Sequence, residues 1–238
     1  MTAVERTVDT RQGEGRLVTH RARHPVATLL LSHGAGNGID TRDLSTLAEH
    51  LPRQGITVVL FEQPWRVAGR KVASPPASLD VGLTAAAGAL RSRAPLVVGG
   101  RSAGARSAAR CAGSLGAIGC LALAFPLHPP GKPEKSRLHE LHGAGVSTLV
   151  IQGERDTMGR PDAFPEDLDL AVVPGADHGF KVPAHGPVTQ AEAMEIVVEA
   201  TLEWIIREVT GNQQPARGVL PSCLPCWNVP DPGARDPR

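Results

Sequence analysis

The fold is decided by the stretch Pro95–Gly113, which reads PLVVGGRSAGARSAARCAG. Its apolar residues Leu96–Val98 predict a short buried strand, and the alanine-rich segment that stops at Gly113 predicts a helix. Between them lie residues 100–104, G-R-S-A-G, in which Gly100, Ala103 and Gly104 are small residues near one serine. Small residues are needed where the backbones of a strand and a helix approach closely. The stretch therefore predicts a strand, a sharp turn that carries Ser102, and a helix.

Two roles are open to Ser102. In the nucleophile elbow, written G-x-S-x-G, a strained turn lifts the serine hydroxyl above the end of the sheet, where it can attack a carbonyl carbon. The alternative is a glycine-rich turn whose serine only caps the following helix. The chain contains 26 glycines, so the pentad alone does not separate these roles. The choice depends on whether a base and an acid follow in the chain.

Predicted strands and helices alternate along most of the sequence. This repetition predicts the α/β class, with a mostly parallel sheet covered by helices on both faces. Besides the elbow helix, we predict helices at about residues 43–54, 79–93, 136–142 and 190–209. The first two predicted strands form a hairpin, and the full set is Val4–Asp9, Arg16–Arg21, Val26–Leu31, Thr57–Phe61, Pro95–Gly100, Gly119–Ala124, Thr148–Gln152 and Asp169–Val173.

Two proline-rich segments are predicted to lack regular structure. In residues 62–76, prolines exclude a regular element, and the segment also carries Arg66, Arg70 and Lys71. We interpret these cations as a solvated face rather than as a clamp for an anionic substrate. The second segment, Pro126–Pro133, follows a predicted strand and cannot be helix or central strand. Because only this segment and a short helix separate Ala124 from Thr148, we expect no sizeable cap domain and an open, shallow site.

A serine hydroxyl becomes a nucleophile only when a base takes its proton and a third group orients that base. Ligands of parallel sheets bind at the carboxyl ends of the strands, so the partners should follow strands. His178 fits the base, because it lies in a glycine-rich loop between the last predicted strand and the last helix. His185, seven residues further along the same loop, is the second candidate. His139 and His142 fall on a predicted helix, which favours a surface position.

The acid is predicted to be Asp156, three residues after Gly153 at the exit of a buried strand. Its nearest competitor is Glu154, and Asp162 and Asp169 lie further away in sequence. Each acidic or histidine residue alone is more simply an ordinary polar loop residue. Ser102, Asp156 and His178 together, each after a strand, favour a catalytic triad.

Acyl transfer also needs hydrogen-bond donors for the oxyanion. One is expected to be the backbone amide of Ala103, directly after the nucleophile. The other is expected from the loop His33-Gly34-Ala35-Gly36, and there the amide of Ala35 is the best candidate. For His33 we favour a structural role, in which its ring bonds to neighbouring loops, over a chemical one.

Composition excludes several classes of function. The chain has 238 residues with 25 basic and 24 acidic side chains, 3% aromatic residues and no tyrosine. Neither a basic stripe nor a set of aromatic platforms is present, so we expect no nucleic-acid partner. The longest apolar runs reach about half a membrane span, and the first residues have no apolar core of a signal peptide. We therefore expect no membrane partner and a cytoplasmic protein, with a single domain at residues 1–210 and a disordered Pro/Gly/Arg-rich tail at 211–238.

The four cysteines point to neither a disulfide framework nor a metal. Cys111 falls in the helix after the elbow and Cys120 in the next strand, so both are predicted to be small core residues. Cys223 and Cys226 form C-x-x-C, but no second pair of ligands follows at the spacing of a zinc site. We therefore expect no metal and no cofactor.

Five segments in this order resemble a known family: LLLSHGAGN, GGRSAGAR, FPLHPPGKPEK, VIQGERDTMG and GADHGF. They are similar to the small α/β-hydrolases of the dienelactone-hydrolase-like branch, above all to the group that contains testis-expressed protein 30 and the third subunit of the NSL chromatin complex. The resemblance covers residues 26–209. It implies an α/β-hydrolase fold, with Ser102, Asp156 and His178 in the positions of the triad, but no particular substrate.

The chain departs from the family pattern at the elbow. Arg101 and Ala103 replace the histidine and methionine of the commoner G-H-S-M-G, and Ser102 stands where dienelactone hydrolases proper have cysteine. We expect a serine hydrolase that cleaves an ester or related acyl bond of a small substrate through an acyl-enzyme on Ser102. The alternative is a non-catalytic α/β-hydrolase scaffold that binds a protein partner, as the chromatin-complex relative suggests.

Overall fold

The computed structural model describes residues 3–211, and in this range eight strands form one sheet. Strands β1 and β2 form an antiparallel hairpin, β2 is antiparallel to β4, and the remaining pairs are parallel. The spatial order is β1-β2-β4-β3-β5-β6-β7-β8. The strands are β1 (Val4–Thr10), β2 (Gly13–His20), β3 (Ala27–Ser32), β4 (Ile56–Glu62), β5 (Leu96–Arg101), β6 (Gly119–Leu123), β7 (Ser147–Gly153) and β8 (Asp169–Val173). The predicted α/β class and the mostly parallel sheet are confirmed.

Helices cover both faces of this sheet. One face packs against α1 and α6, and the other packs against α3, α4 and α5. The helices are α1 (Arg42–His50), α2 (Pro64–Val67), α3 (Pro76–Gly88), α4 (Ala103–Cys111), α5 (Leu138–His142) and α6 (Gln190–Thr210). None of the helices between residues 3 and 211 combines the length and the apolar character that a membrane crossing requires.

Central strand β3 shows why the sheet is buried on both sides. Its side chains alternate between the two faces, so Leu29 and Leu31 join the core under α1 and α6 while Leu30 joins the other core. All three are completely buried. Burying one leucine side chain stabilises the fold by about 1.5–3 kcal/mol, so a continuous apolar run suits a strand covered on both faces.

The segment at residues 62–76 corrects a prediction. It was expected to lack regular structure, but Pro64–Val67 form α2, and α3 begins at Pro76 instead of residue 79. A proline in the first turn of a helix loses nothing, because its missing N–H would have no partner there. The buried side chain of Trp65 fixes α2 against the core. The prolines therefore begin these helices and do not interrupt them.

The other boundaries shift by a few residues. The predicted helix at 43–54 divides into α1 and a 3-10 turn at Leu51–Gln54, and α3 ends at Gly88 instead of residue 93. The hairpin ladder continues to the pair Thr10–Gly13, so the turn is tighter than expected. Of the predicted tail, residues 212–238, which include Cys223 and Cys226, lie outside the described residues.

Only residues 124–146 separate β6 from β7. They contain the proline-rich segment and α5, whose five residues are the only helix between these two strands in the described range. No cap domain is built there, as predicted.

Candidate active site

The turn after β5 has the geometry of a nucleophile elbow. Ser102 lies between β5 and α4 with φ 53° and ψ −111°, a strained conformation for a residue with a side chain. A Cβ atom on Gly100 would lie 2.5 Å from the carbonyl oxygen of Ser32, and one on Gly104 would also overlap that carbonyl group. The two glycines of the pentad are therefore required because β3 and the elbow are in direct contact.

The three residues predicted as a triad meet at the carboxyl end of the sheet. The Nε2 atom of His178 lies 3.0 Å from Oγ of Ser102, and its Nδ1 atom lies 2.7 Å from Oδ2 of Asp156. In the tautomer that fits both contacts, Nδ1–H donates to the carboxylate and Nε2 accepts from the serine hydroxyl. These are the distances at which a base can take the serine proton.

The carboxylate of Asp156 is completely buried and held by two further donors. The Met158 amide donates to Oδ1 over 2.8 Å, and Nε2 of Gln152 donates to Oδ2 over 2.8 Å. The Gln152 side chain also donates to the carbonyl oxygen of Gly159 over 2.7 Å. Gln152 is not among the predicted site residues, although a glutamine at the end of an apolar strand, four residues before the acid, is a usable signal.

The competing acids lie elsewhere. The Oε2 atom of exposed Glu154 accepts from the Gly175 amide over 2.6 Å and does not contact the histidine. Asp169 begins β8, at the opposite edge of the sheet, and pairs with Arg207. Asp162 lies 3.6 Å from Arg160 on the surface.

His178 belongs to a compact turn. The Asp177 side chain accepts from the amides of Gly179 over 2.7 Å and Lys181 over 3.0 Å, and the Asp177 backbone bonds to Phe180 and Lys181. Phe180 has a positive φ of 53° and a fully buried ring. The second base candidate, His185, is exposed beyond this turn.

One predicted oxyanion donor, Ala103, directly follows the serine, and the other, Ala35, lies in a loop that approaches it. Ala103 begins α4, so its N–H has no partner inside the helix, and the positive end of the helix dipole lies there. The loop that contains Ala35 approaches from β3, since a Cβ on Gly34 would lie 3.4 Å from Cβ of Ser102. Within residues 3–211 neither the Ala35 nor the Ala103 amide donates a hydrogen bond. Both remain available for a ligand.

His33 has the structural role that the sequence predicted. Its Nε2 atom accepts from the Gln63 amide over 3.0 Å, so the proton is on Nδ1, which donates to the Gly34 carbonyl oxygen over 2.8 Å. The ring is 2% exposed, and its centroid lies 5.5 Å from that of Trp65. Burial lowers the pKa of His33 below its usual value. It is a neutral residue that joins the loops after β3 and β4.

Arg101, which the sequence analysis noted only as a departure from a motif, is part of the site. Its side chain is 8% exposed and donates from Nη2 to the backbone oxygen of His178 over 2.9 Å. Its Nε atom lies 3.2 Å from Oδ2 of buried Asp43. Burial raises the pKa of Asp43, while the charge of Arg101 opposes that change.

Other polar groups are outside this site. Burial raises the pKa of Cys111 to about 11 and that of Cys120 to about 12, so both remain thiols and are core residues as predicted. Arg66, Arg70 and Lys71 are exposed, in agreement with a solvated face. In the part of the chain that the structure describes, no three His, Cys, Asp or Glu side chains are grouped as metal ligands would be.

Solved structures share this architecture. The lidless α/β serine hydrolase XC6422 from Xanthomonas campestris is 19% identical to this chain and superposes with a TM-score of 0.65. The aligned region includes 86% of this chain and 95% of XC6422. A dienelactone hydrolase from Anabaena variabilis is 19% identical over 87% and 97% of the two chains, with a TM-score of 0.67. Est1E from Butyrivibrio proteoclasticus is 14% identical over 88% and 100%, with a TM-score of 0.65. At these identities the likeness shows the fold alone.

Comparison of the sequence with other proteins and with family models identifies the family of this chain. None of the curated proteins compared with the chain matches it. A family model described as an alpha/beta hydrolase domain matches residues 25–206, which span every strand from β3 to β8 and nearly all of α6. The chain therefore belongs to the α/β-hydrolase family.

Proposed function

We propose that this chain is a serine hydrolase that cleaves an ester or related acyl bond of a small substrate. In this proposal Ser102 is the nucleophile, His178 the general base and Asp156 the acid that orients it. The single observation that supports it most is the unbroken contact from Ser102 Oγ to His178 Nε2 at 3.0 Å and from His178 Nδ1 to Asp156 at 2.7 Å. A residue held in strain at that point of the chain also favours chemistry over packing.

The reaction follows from these contacts. Oγ of Ser102 attacks the carbonyl carbon while its proton moves to Nε2 of His178, and the buried carboxylate of Asp156 stabilises the imidazolium that forms. The imidazolium then gives this proton to the leaving alcohol, whose bond to carbon breaks and leaves an acyl-enzyme. In the second half of the reaction, water attacks the acyl carbon while His178 takes a proton from it. The bond between this carbon and Ser102 Oγ then breaks, His178 returns the proton to Ser102, and the carboxylic acid product is released.

The tetrahedral intermediate carries its charge on the former carbonyl oxygen. The amides of Ala103 and Ala35 are proposed to stabilise that oxyanion, since both are unused within residues 3–211, Ala103 follows the serine, and the loop of Ala35 approaches it. One such donor contributes about 3–4 kcal/mol to stabilisation of the transition state in a serine hydrolase. No step of this scheme requires a metal or a cofactor.

The substrate is proposed to have a short acyl group. Residues 124–146 build no cap, so a long acyl chain would have little apolar surface to cover it. We expect esters of two to four carbons to be hydrolysed with higher kcat/KM than esters of about ten or more carbons. A clear preference for the long esters would contradict this part of the proposal.

Within the family, the PLHPPGKP segment supports a position near testis-expressed protein 30 and the third subunit of the NSL chromatin complex. We also propose a cytoplasmic location, which the free, buried thiols of Cys111 and Cys120 support. The alternative function is a non-catalytic scaffold that binds a protein partner, and the experiment must distinguish this scaffold from a serine hydrolase.

A fluorophosphonate probe makes that separation, because it reacts only with an activated serine. The purified protein is expected to be labelled on Ser102, and Ser102→Ala is expected to abolish labelling. The matched control is Ser107→Ala, because this serine lies on α4, directly after the elbow, but its hydroxyl donates to Asp80 over 2.7 Å. Labelling of wild type and control, but not of Ser102→Ala, supports the hydrolase. A folded wild-type protein that stays unlabelled supports the scaffold.

A further inference from the structure

One residue joins the nucleophile strand to the histidine loop. Arg101 ends β5, so its backbone leads directly into Ser102, while its guanidinium group donates to the backbone oxygen of His178 over 2.9 Å. Within residues 3–211 this is the only hydrogen bond of the His178 backbone, because the other bonds of the turn involve Asp177, Gly179, Phe180 and Lys181. Arg101 thus connects the strand that carries the serine to the backbone of the histidine, while Asp156 holds the histidine ring.

Arg101 is itself held from a third element. Asp43, in the first turn of α1, is 2% exposed and lies 3.2 Å from the guanidinium Nε atom. A lysine could not reproduce this arrangement, because its single ammonium group cannot present two separate N–H edges in a fixed plane. The guanidinium group donates from Nη2 to the His178 carbonyl oxygen, while its Nε atom lies within ion-pair distance of Asp43 Oδ2 without forming a hydrogen bond to it.

We propose that Arg101 is a positioning residue that sets the distance between Ser102 Oγ and His178 Nε2. This inference rests on the proposed function, because that distance matters only if the serine is a nucleophile. Arg101 touches neither reacting atom and acts through the backbone of His178. An error of about 1 Å between reacting groups can lower a rate by about 100-fold, which sets the effect expected when the link is lost.

The main test removes the link without leaving a buried charge alone. Losing only Arg101 would leave Asp43 unpaired, whereas replacing both members of a buried ion pair by apolar residues of similar size often preserves stability. In Arg101→Met with Asp43→Leu, we expect kcat for a small activated ester to fall about 100-fold, with KM changed by less than about threefold. The midpoint of thermal unfolding should stay within about 2–4 °C of wild type.

The matched control is Arg106→Met with Glu140→Leu. This ion pair likewise joins two elements, α4 and α5, through contacts of 2.7 and 2.6 Å, but it does not touch His178. We expect the control to keep kcat within about threefold of wild type. An equal loss of kcat in the control, or a double Arg101–Asp43 variant that keeps wild-type kcat, overturns the role of Arg101.

A second measurement does not depend on the double variant. A cavity of about 320 Å³ opens beside the His178 loop, and its lining includes Asp43, Arg101, Gly179 and Lys181. In Arg101→Ala this cavity should admit a guanidinium ion to the vacated position next to Asp43. Guanidinium at concentrations far below those that unfold the protein is expected to restore kcat at least about tenfold, whereas sodium at equal ionic strength should not. Equal effects of the two cations overturn the proposal.

The results also separate this inference from the proposed function. A wild-type protein that hydrolyses no ester and takes no fluorophosphonate overturns both. An active wild type with an active Arg101→Met, Asp43→Leu variant overturns only the positioning role.

Discussion

Two histidines stand in similar loops at the same edge of the sheet, His33 after β3 and His178 after β8, yet their environments differ. Both ring nitrogens of His33 are bonded to backbone groups, of Gly34 and Gln63, and its ring is 2% exposed. The ring of His178 instead faces two side chains, and its side chain is 22% exposed. Position after a strand brings a histidine to the edge, but its partners decide what it can do.

The physical difference lies in proton exchange. A buried ring bonded to two backbone groups cannot gain a proton without losing a hydrogen bond, so His33 is fixed as a neutral connector. A ring between a carboxylate and a hydroxyl can accept the serine proton, because the new charge meets the carboxylate of Asp156. The predictions that follow test this contrast, beginning with the largest expected effect.

Among exchanges that keep the shape of the side chain, the largest effect is expected from Asp156→Asn. The amide can donate where the carboxylate only accepts, so it favours the tautomer of His178 that presents N–H, not a lone pair, to Ser102. In a serine protease this exchange lowers kcat by about 10⁴-fold, and we expect a loss of similar size here. Hydrolysis of a small activated ester measures it.

Glu154→Gln is the control for that exchange. Its carboxylate is exposed and accepts from the Gly175 amide, away from the histidine, so kcat should remain within about threefold of wild type. If Glu154→Gln is the inactive variant, the acid is misassigned. Full activity of both variants would remove the triad altogether.

The second prediction makes the same substitution at both histidines. His33→Leu leaves the Gln63 amide and the Gly34 carbonyl without partners in the core, which should lower the free energy of unfolding by about 2–5 kcal/mol. His178→Leu leaves Asp156 with its donors from Gln152 and Met158, so the loss should be about 1 kcal/mol or less. Urea unfolding of the two variants measures both values.

Activity should show the opposite order, with no detectable hydrolysis in His178→Leu and measurable hydrolysis in folded His33→Leu. Equal stabilities of the two variants, or an active His178→Leu, would contradict the division of roles.

The third prediction concerns the pH dependence of stability. Burial lowers the pKa of His33 in the folded state, so below about pH 6.5 the unfolded chain binds a proton that the folded chain does not. Stability therefore rises with pH in this window, and the His33 contribution is lost as pH falls from about 6.5 towards the lowered pKa. One such group can change the free energy of unfolding by up to about 1.4 kcal/mol per pH unit.

Urea unfolding at pH 7.5 and pH 5.5 tests this difference. Wild type should lose more stability between these values than His33→Leu does, because other titrating groups are common to both proteins. If the free energy of unfolding changed equally with pH in wild type and in His33→Leu, then His33 would accept a proton in the folded state as readily as in the unfolded chain.

Much of the fold could be predicted because its signals are local. The run of leucines in β3 and the glycines at the elbow each carry enough information to define an element. The errors occur where one residue has two uses. Pro64 and Pro76 were interpreted as breaks, but proline also begins helices, and only the burial of Trp65 shows which use applies.

The site also contains residues that could be predicted from the sequence and residues that could not. Ser102, Asp156 and His178 could be found because a triad requires certain residue types after strands, in a fixed order. Gln152 and Arg101 could not, since their roles depend on contacts that connect β7 to Gly159 and β5 to His178. Such contacts are made by the tertiary fold and leave no spacing pattern in the sequence.

The smallest effect is expected at His185, the other histidine of the last loop. The sequence left it as a second candidate for the base, because it lies only seven residues after His178. Its side chain is exposed, and the turn held by Asp177 has ended before it. His185→Gln should therefore change the free energy of unfolding by no more than about 0.5 kcal/mol and leave kcat for a small ester within about twofold of wild type. The same ester assay and urea unfolding, run beside His178→Leu, give the comparison. A loss of hydrolysis in His185→Gln, with His178→Leu still active, would assign the base to His185 and contradict a catalytic role for the contact between His178 and Ser102.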